Sequence, residues 1–315
     1  MPSIIIIDQM HPSLIPGLES LGFEVSYQPE ITRGQLWQII SKFQGLIVRS
    51  KTSIDHELIS QASNLKFVAR AGAGVDNLDE STLRLRGIHI LNAPEGNRDS
   101  LAEHLMGMLL STLHQIHRSH QALSNGRWDR EAFRGNELGG KTVGIIGCGN
   151  MGTAFAKRLS SFGCKVLGYD KYIQTHQSTY YHPVPLETLF GKCDIVSLHV
   201  PLTNETKGFY NYSFFSRFEH PIMLLNSARG EILPLHDLVQ SMREGKIWAA
   251  ALDVFENEPF VQSSINQSDT YEYLVNNPAV IMSPHVAGWS HESYLRINQV
   301  LLRKIEILKQ DGGLD

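Results

Sequence analysis

The sequence of 315 residues contains few cysteines, no long hydrophobic run and no large excess of either charge. Its three cysteines, Cys148, Cys164 and Cys193, lack the spacing of metal ligands, and we interpret them as reduced thiols. The apolar run Ile4–Ile7 is too short to span a membrane, and no basic start or cleavage site marks a signal peptide. The formal net charge of −4 provides no general attraction to nucleic acid or to anionic membranes. These absences favour a cytoplasmic protein without a nucleic-acid or membrane partner.

The histidine pattern does not indicate a metal site. A long helix is predicted over Ser100–Leu123, after a turn at Asn92–Asn97, and His114, His117 and His120 recur at every third position of that helix. This spacing spreads the side chains across the helix surface, whereas two ligands on one face would stand four residues apart. We therefore predict no bound metal and interpret these histidines as solvated or subunit-facing.

Short apolar runs alternate with amphipathic segments along the chain, a pattern typical of α/β folds with parallel sheets. The length suits two doubly wound domains better than one domain. We predict a first domain from residues 1–97 and 285–315, closed by an amphipathic helix over Leu295–Leu308, and a second domain from residues 98–284. The polar stretch Glu258–Asn277 is expected to be a surface excursion.

The middle of the chain carries a signature for dinucleotide binding. The β-branched run Val143–Ile146 ends at Gly147-x-Gly149-x-x-Gly152, after which apolar residues recur at helical spacing. The first glycine permits a tight turn, the second lets the backbone approach a pyrophosphate, and the third lets the helix pack on the strand. A second predicted strand ends at Asp170, 18 residues after Gly152, where an acid can bind the ribose hydroxyls of NAD. The alternative is an α/β unit without a cofactor.

The same acid predicts NAD as the cofactor and not NADP. A 2′-phosphate would meet Asp170 with like charge and would remove its ribose contact. The adjacent Lys171 can soften this repulsion by turning toward the phosphate, although we interpret it as solvated.

Three predicted strands of the second domain end beside an arginine, a carboxylate and a histidine. Ligands bind at the carboxyl ends of strands in open α/β sheets, so these side chains are candidates for one site. Taken singly, the arginine can also be a surface ion pair, the acid a solvated loop residue and the histidine a capping or core residue. The three are Arg229, Glu258 and His285, which follow strands predicted at Ile222–Asn226, Ala249–Val254 and Val280–Met282.

This set suits the dehydrogenation of a 2-hydroxy acid. Arginine can hold a carboxylate through two parallel hydrogen bonds. Histidine can take the hydroxyl proton as hydride leaves, and a carboxylate beside it favours the imidazolium that forms. The redox step itself belongs to the nicotinamide cofactor.

Four motifs resemble the D-isomer-specific 2-hydroxyacid dehydrogenase family, and the similarity spans nearly the whole chain. They are Gly-Cys-Gly-Asn-Met-Gly at 147–152, Asn-Ser-Ala-Arg-Gly at 226–230, Leu-Asp-Val-Phe-Glu-Asn-Glu-Pro at 252–259 and Ser-Pro-His-Val-Ala-Gly at 283–288. The resemblance implies a flavodoxin-like substrate domain, a Rossmann dinucleotide-binding domain and NAD as the cofactor. It makes Arg229, Glu258 and His285 catalytic, with Glu258, and not Glu256, as the acid.

The resemblance also assigns residues to the two ligands. The cofactor would contact Gly147, Gly149, Asn150, Met151, Gly152, Asp170, Val200, Pro201, Thr206, Ser227, Ala228, Arg229, Asp253, His285 and Gly288. The small-molecule substrate would contact Arg49, Ser50, Arg70, Gly72, Ala73, Gly74 and Val75.

The first domain is most similar to the phosphoglycerate dehydrogenase branch, on residues 46–50, 70–77 and 126–128. That branch implies oxidation of 3-phosphoglycerate to 3-phosphohydroxypyruvate, the first step of L-serine biosynthesis, by a homodimer. Ala73 replaces a residue that often carries a hydroxyl near the cofactor, and the end at Asp315 is expected to exclude a C-terminal serine-sensing domain. A glyoxylate or hydroxypyruvate reductase of the same family and a non-catalytic NAD-sensing interaction protein remain alternatives.

Overall fold

The computed structural model describes residues 2–173, 178–258 and 268–314. Two compact units divide the chain, one formed by Met1–Arg98 with Trp289–Asp315 and the other by Asp99–Gly288. Residues 285–288, which the sequence predicts in the first domain, therefore lie in the second unit. The amides of Val286 and Ala287 donate to a buried carboxylate of that unit, which fixes this short segment there.

The first unit contains a parallel sheet of five strands in the order β2-β1-β3-β4-β5. This order, with its reversal between β1 and β3, is that of flavodoxin-like folds, as predicted. The strands are β1 (Ser3–Ile6), β2 (Glu24–Tyr27), β3 (Gly45–Val48), β4 (Phe67–Arg70) and β5 (His89–Asn92).

The second unit contains a parallel sheet of seven strands in the order β12-β11-β10-β9-β6-β7-β8. The strand order reverses between β6 and β9, and this is the point where Rossmann folds bind a dinucleotide. The strands are β6 (Thr142–Ile146), β7 (Lys165–Tyr169), β8 (His182–Pro183), β9 (Ile195–Leu198), β10 (Ile222–Asn226), β11 (Ile247–Leu252) and β12 (Val280–Met282). The two sheets confirm the predicted fold class.

Helices connect the strands in both units. In chain order the α-helices are α1 (Leu14–Ser20), α2 (Arg33–Ile39), α3 (His56–Gln61), α4 (Glu80–Leu85), α5 (Pro94–Leu113), α6 (Ile116–Ser124), α7 (Asn150–Leu159), α8 (Leu186–Lys192), α9 (Tyr212–Phe215), α10 (Leu235–Arg243), α11 (Asp269–Asn276) and α12 (His291–Gln310). Within the described ranges, no helix is long and apolar enough to cross a membrane.

The last helix completes the core of the first unit. Ile4 and Ile6 of β1 are fully buried, because a parallel sheet is covered on both faces and needs a continuous apolar run. On one face they pack in a cluster with Ile297, Leu301 and Ile305, which stand four residues apart on α12. The N-terminus of α12 is closed by a capping box between Ser290 and Ser293.

The predicted single helix over 100–123 is wrong, because the structure has two helices with a break at Gln115. Gln115 has a left-handed φ of 53° and donates through its side chain to the Arg134 carbonyl at 2.9 Å. The Asn136 amide donates to the Leu113 carbonyl at 2.8 Å, so this carbonyl accepts from outside the helix. The segment 134–136 thus ends α5, and local periodicity does not reveal this because the segment lies far from the helix end in the chain.

Two predicted irregular segments are also helical. Pro94 opens α5 at a position where proline needs no amide partner, so the expected turn at 92–97 becomes the first turn of the helix. Gly96 stands there because a Cβ would lie 2.7 Å from the backbone of Ile297 on α12. In the expected excursion, α11 packs the fully buried Leu274 into the core of the second unit. Residues 259–267 of that segment lie outside the described residues.

Candidate active site

The glycine turn between β6 and α7 has the geometry of a pyrophosphate cradle. Gly147 has a φ of +94°, and a Cβ on it would lie 2.6 Å from the His199 carbonyl. A Cβ on Gly152 would strike the Gly147 carbonyl, whereas none of the described atoms lies within 4 Å of a Cβ on Gly149. The first and third positions therefore exclude side chains, and the second leaves room for a ligand to approach. Gly149 is also the N-cap of α7, so the N-terminal end of this helix, where phosphate oxygens can bind, begins at the turn.

Asp170 follows β7 beside this turn and is held by backbone amides. Its Oδ2 accepts from the Cys148 amide at 2.8 Å, and its Oδ1 accepts from the amides of Tyr172 and Ile173 at 2.9 and 3.0 Å. Three bonds leave about one of the four acceptor positions of a carboxylate for a ligand. Asp170 therefore lies beside the glycine turn, and its contact with the ribose of NAD stays a prediction.

The neighbouring Lys171 is exposed, but it also forms an ion pair. Its Nζ lies 2.5 Å from Glu205 Oε2, and the Tyr172 hydroxyl donates to the same oxygen at 3.1 Å. The hydrogen bond from Lys171 lowers the pKa of Glu205, and the same bond raises the pKa of Lys171. A second acid, which the sequence did not single out, therefore stands beside the expected ribose site.

The other expected cofactor residues lie around the same strand ends. Asn150 and Met151 begin α7, and Val200 follows His199 at the end of β9, whose backbone closely approaches Gly147. The Thr206 hydroxyl donates to the Pro201 carbonyl at 2.7 Å, so these two residues form one turn.

A buried asparagine shapes the turn that carries Arg229. Asn226, fully buried at the end of β10, accepts from the Ala228 amide at 3.0 Å and donates to the Arg229 carbonyl at 3.1 Å. The Ser227 hydroxyl is buried, and none of the described polar atoms satisfies it. A buried hydroxyl normally has a partner, so Ser227 fits a position at which a cofactor supplies one.

Glu258 and His285 form the central pair of the site. His285 Nδ1 lies 2.7 Å from Glu258 Oε2, with the two side chains 49% and 33% exposed. The other Glu258 oxygen accepts from the Phe255 amide at 2.9 Å. Burial raises the pKa of Glu258, but the bonds from His285 and Phe255 and the charges of His285 and Arg229 lower it to a net value below its usual range. Glu256 instead accepts from the Leu235 amide at 2.8 Å, which removes it from the pair.

The loop after β12 presents His285 in a conformation that is uncommon for a side-chain-bearing residue. Its φ is 53°, in the left-handed region, and its amide donates to the carbonyl of Asp253 at 2.8 Å. Asp253 is 1% exposed and accepts through its carboxylate from the amides of Val286 and Ala287, both at 2.9 Å. The structure thus turns this carboxylate toward the loop that ends at Gly288.

The expected substrate residues follow β3 and β4 of the first unit. Arg49 lies with its guanidinium carbon 3.7 Å from the ring centre of Trp289, and its amide donates to Asp8 at 2.7 Å. Ser50 is exposed beside it. Arg70 ends β4, and the Gly72–Val75 loop that follows is tied to the end of β5 by bonds to the carbonyls of Gly72 and Ala73.

The described residues contain no group of three or more His, Cys, Asp or Glu side chains that could hold a metal ion. His117 and His120 lie on α6, and His114 lies in the break before it.

Sequence comparison identifies relatives of the whole chain. Residues 106–287, more than half of the chain, match the family described as D-isomer specific 2-hydroxyacid dehydrogenase, NAD binding domain. The hydroxypyruvate reductase of Thermotoga maritima is 36% identical over 276 residues, which cover 87% of this chain and 88% of the relative. The D-3-phosphoglycerate dehydrogenase of Archaeoglobus fulgidus is 33% identical over 96% of this chain but only 56% of its own length. The chain therefore spans about half the length of such phosphoglycerate dehydrogenases.

Solved structures show the same fold. A protein of Thermus thermophilus superposes with a TM-score of 0.82 at 27% identity, covering 98% of this chain and 97% of that one. A glyoxylate reductase from Paecilomyes thermophila superposes with a TM-score of 0.86 at 22% identity, covering 99% and 96%. Together with the match over more than half of its length, these similarities show that the chain belongs to the D-isomer-specific 2-hydroxyacid dehydrogenase family and has the NAD-binding domain of that family.

Proposed function

We propose that the protein oxidises a D-2-hydroxy acid with NAD and that its substrate is 3-phosphoglycerate, which becomes 3-phosphohydroxypyruvate at the entry to L-serine biosynthesis. The observation that carries the dehydrogenase activity is the 2.7 Å hydrogen bond between His285 and Glu258, which follow the neighbouring strands β12 and β11. Arg229 follows the next strand, β10, and its charge acts on Glu258. A base, its carboxylate partner and a cation for the substrate carboxylate thus stand together.

The roles follow from the donors and acceptors of these groups. Because His285 donates from Nδ1 to the carboxylate, its Nε2 has a lone pair that can accept the proton of the C2 hydroxyl. Glu258 stabilises the imidazolium as that proton arrives. Arg229 holds the substrate carboxylate through paired hydrogen bonds. Bound NAD supplies the hydride acceptor.

The phosphate of the substrate would be bound by Arg49 and Arg70. Val48 pairs with Arg70 across β3 and β4, so the two arginines leave neighbouring strand ends of the first unit. Burial lowers the pKa of the Arg49 guanidinium, and no ion pair of Arg49 occurs in the described part of the chain. Such a half-buried cation gains from a bound anion. The names of relatives at 33% identity, from Archaeoglobus fulgidus and Rattus norvegicus, support the same substrate.

A reductase that acts on hydroxypyruvate or glyoxylate is the second candidate. The hydroxypyruvate reductase of Thermotoga maritima is the more similar of these relatives at 36% identity, and this chain covers 88% of it. The reaction would then run with NADH in the opposite direction, with protonated His285 donating to the carbonyl oxygen.

Initial rates with NAD and 3-phosphoglycerate, compared with NADH and hydroxypyruvate or glyoxylate, separate the two candidates. Faster turnover on hydroxypyruvate or glyoxylate would remove the phosphoglycerate proposal. Absence of turnover on every 2-hydroxy and 2-oxo acid would instead favour a non-catalytic NAD-sensing protein.

The phosphate contact has its own test in Arg49→Ala. Charged hydrogen bonds contribute about 1.5–3 kcal/mol each, so the change should raise KM for 3-phosphoglycerate about 10- to 100-fold. Unphosphorylated D-glycerate should be a poor substrate that is almost insensitive to the change. Trp289→Leu should act in the same direction with a smaller effect, because it removes only the ring that orients Arg49, while Trp37→Leu serves as the control at an exposed tryptophan of the same unit. Equal losses on both substrates would contradict a phosphate site.

We also propose that the enzyme is a cytoplasmic homodimer. Ile116 and Leu123 on α6 are 54% and 56% exposed, and Trp128 shortly after them is 79% exposed. Large apolar side chains in one exposed segment favour burial against a second copy. The three cysteines are free thiols, which suits a reducing compartment. Sedimentation velocity should give a dimer for the wild type and a monomer for Trp128→Glu; a monomeric wild type would refute the dimer.

A further inference from the structure

One face of α5 holds the loop that presents His285. The Ser100 hydroxyl donates to the Ala287 carbonyl at 2.9 Å, and His104 Nε2 lies 2.9 Å from the Ser283 hydroxyl. Met108 Sδ lies 3.7 Å from the same hydroxyl. These three helix residues stand four apart, which places them on one side of the helix. Both ends of the loop are therefore seated on α5 by side chains to which the sequence assigned no role.

The loop is wrapped around the carboxylate of Asp253. Oδ1 of Asp253 accepts from the Ser283 hydroxyl at 2.6 Å and from the Val286 amide at 2.9 Å, and Oδ2 accepts from the Ala287 amide at 2.9 Å. Successive amides can converge on an anion where a left-handed residue or a turn bends the backbone. His285 is that residue, with its φ of 53°, so the strained backbone of the proposed base depends on Asp253.

The proton positions in this network follow from the inventory of donors. The Ser283 hydroxyl has one proton, and the 2.6 Å contact commits it to the acceptor-only Asp253. His104 Nε2 must therefore carry a proton and donate it to the Ser283 oxygen. His104 Nε2 is itself 3.8 Å from Asp253 Oδ1, and its side chain is 29% exposed. The chain of hydrogen bonds runs in one direction, from His104 through Ser283 to Asp253.

We propose that His104 is a positioning residue of the dehydrogenase reaction, which acts through Ser283 and Asp253 to hold the loop that carries His285. The inference rests on the acid–base role proposed for His285. His104 touches neither His285 nor the glycine turn, so its effect should fall more on the alignment of the base than on cofactor affinity, to which the glycine turn and Asp170 are also expected to contribute.

The physical reason is that left-handed backbone in a residue with a side chain costs about 1–3 kcal/mol and persists only where surrounding contacts enforce it. Without the donor from His104, the Ser283 oxygen loses one of the two partners that fix its position, and only its bond to Asp253 still ties this side chain to the network. A displacement of the imidazole by about 1 Å is enough to lower the rate about 100-fold.

The test compares His104→Leu with His104→Gln, because glutamine restores an N–H donor near the position of Nε2 and leucine does not. With 3-phosphoglycerate and NAD, or hydroxypyruvate and NADH, His104→Leu should lower kcat about 10- to 100-fold. His104→Gln should recover most of the activity that His104→Leu loses. The dissociation constant of NADH, measured by fluorescence, should change less than about threefold in both variants. The control His220→Leu, at an exposed histidine of the same unit, should match the wild type in both kcat and the dissociation constant of NADH.

Ser283→Ala removes the hydroxyl that joins His104 to Asp253 and changes nothing else in the side chain. It therefore tests the proposal even if His104→Leu fails to fold. It should lower kcat to a similar extent, and the double variant should be no slower than the worse single variant, because both changes break one chain of bonds. Losses that multiply in the double variant, a full loss in His104→Gln, or a loss of NADH binding equal to the loss of kcat would each overturn the proposal. His285→Ala separates this from the proposed function: if His285→Ala keeps near wild-type turnover, the acid–base role fails, whereas an inactive His285→Ala beside an active His104→Leu overturns only the inference about His104.

Discussion

At the scale of single residues, the pairing of His285 with Glu258 makes the chemistry depend on a carboxylate that stays charged. The pKa of Glu258 lies below its usual range, so its charge is present at neutral pH and is lost only as the pH falls through that lowered pKa. The carboxylate is therefore ionised wherever a histidine base operates, and its contribution to the rate should be constant across the neutral range.

The variant Glu258→Gln should lower kcat about tenfold or more and shift the pH profile of the oxidation. The carboxylate supplies the negative charge that stabilises the imidazolium formed as the substrate proton arrives, and the variant lacks this charge, so its rate should depend on pH differently from that of the wild type. Glu256→Gln, which alters a carboxylate bonded to the Leu235 amide, is the matched control and should keep the wild-type profile. An unchanged profile in Glu258→Gln would detach this residue from the base.

A second prediction at this scale concerns cofactor choice. Glu205 holds Lys171, the residue that follows Asp170, at 2.5 Å and so keeps this cation away from a 2′-phosphate. The variant Glu205→Gln should raise kcat/KM for NADP about three- to tenfold, with little change for NAD. The double variant with Lys171→Met should lose this gain, because the released cation is its cause. An equal gain in the double variant would show that the repulsion by Glu205, and not the release of Lys171, disfavours NADP.

At the scale of elements, the break between α5 and α6 is decided by a distant segment. A Cβ on Gly135 would lie 2.8 Å from His114 Cα and 3.0 Å from the Leu113 carbonyl, both backbone atoms that cannot move aside easily. Gly135→Ala should therefore destabilise the protein by about 1–3 kcal/mol and lower Tm by several degrees. Gly139→Ala is the control, because the nearest atom to its Cβ would be the Phe162 carbonyl at 3.6 Å, an ordinary contact. Equal Tm values for both variants would mean that the backbone of the segment 134–136 does not pack closely against the end of α5.

The elements also differ in how far the sequence predicts them. Strand β10 has the predicted bounds, because five consecutive buried residues between turn residues leave no other pattern. Helix α11 was missed because only Leu274 of its eight residues is buried, which leaves little apolar periodicity to detect.

At the scale of the whole molecule, His199 should make stability depend on pH. His199 follows β9, and its Nε2 lies within hydrogen-bond distance of the Ser197 hydroxyl, at 2.8 Å. Burial lowers the pKa of His199 to about 3. Between about pH 3 and the ordinary value of about 6.5, the unfolded chain binds a proton there that the folded protein does not. Stability is therefore full above that ordinary value and falls as the pH is lowered through this window, by about 1 kcal/mol at about pH 5.5.

The change His199→Gln removes the titrating group and keeps a polar side chain for Ser197. The difference between urea midpoints at about pH 7.5 and about pH 5.5 should shrink relative to the wild type, whereas His220→Gln at an exposed position should leave the difference unchanged. A wild-type pH dependence in His199→Gln would show that this histidine is not buried in its neutral form.

The sequence alone determined the features that rest on contiguous residues. The glycine turn at 147–152 was predicted because each glycine meets a local backbone constraint, and Arg229, Glu258 and His285 were singled out because each comes shortly after an apolar run with the length of a buried strand. Only the tertiary structure decided the bonds between segments far apart in the chain: His104 with Ser283, Glu205 with Lys171, and the capture of the Leu113 carbonyl by Asn136. The physical reason is that periodicity and turn chemistry act within a few residues, whereas a hydrogen bond between residues 179 positions apart, as between His104 and Ser283, exists only once the sheet has brought them together.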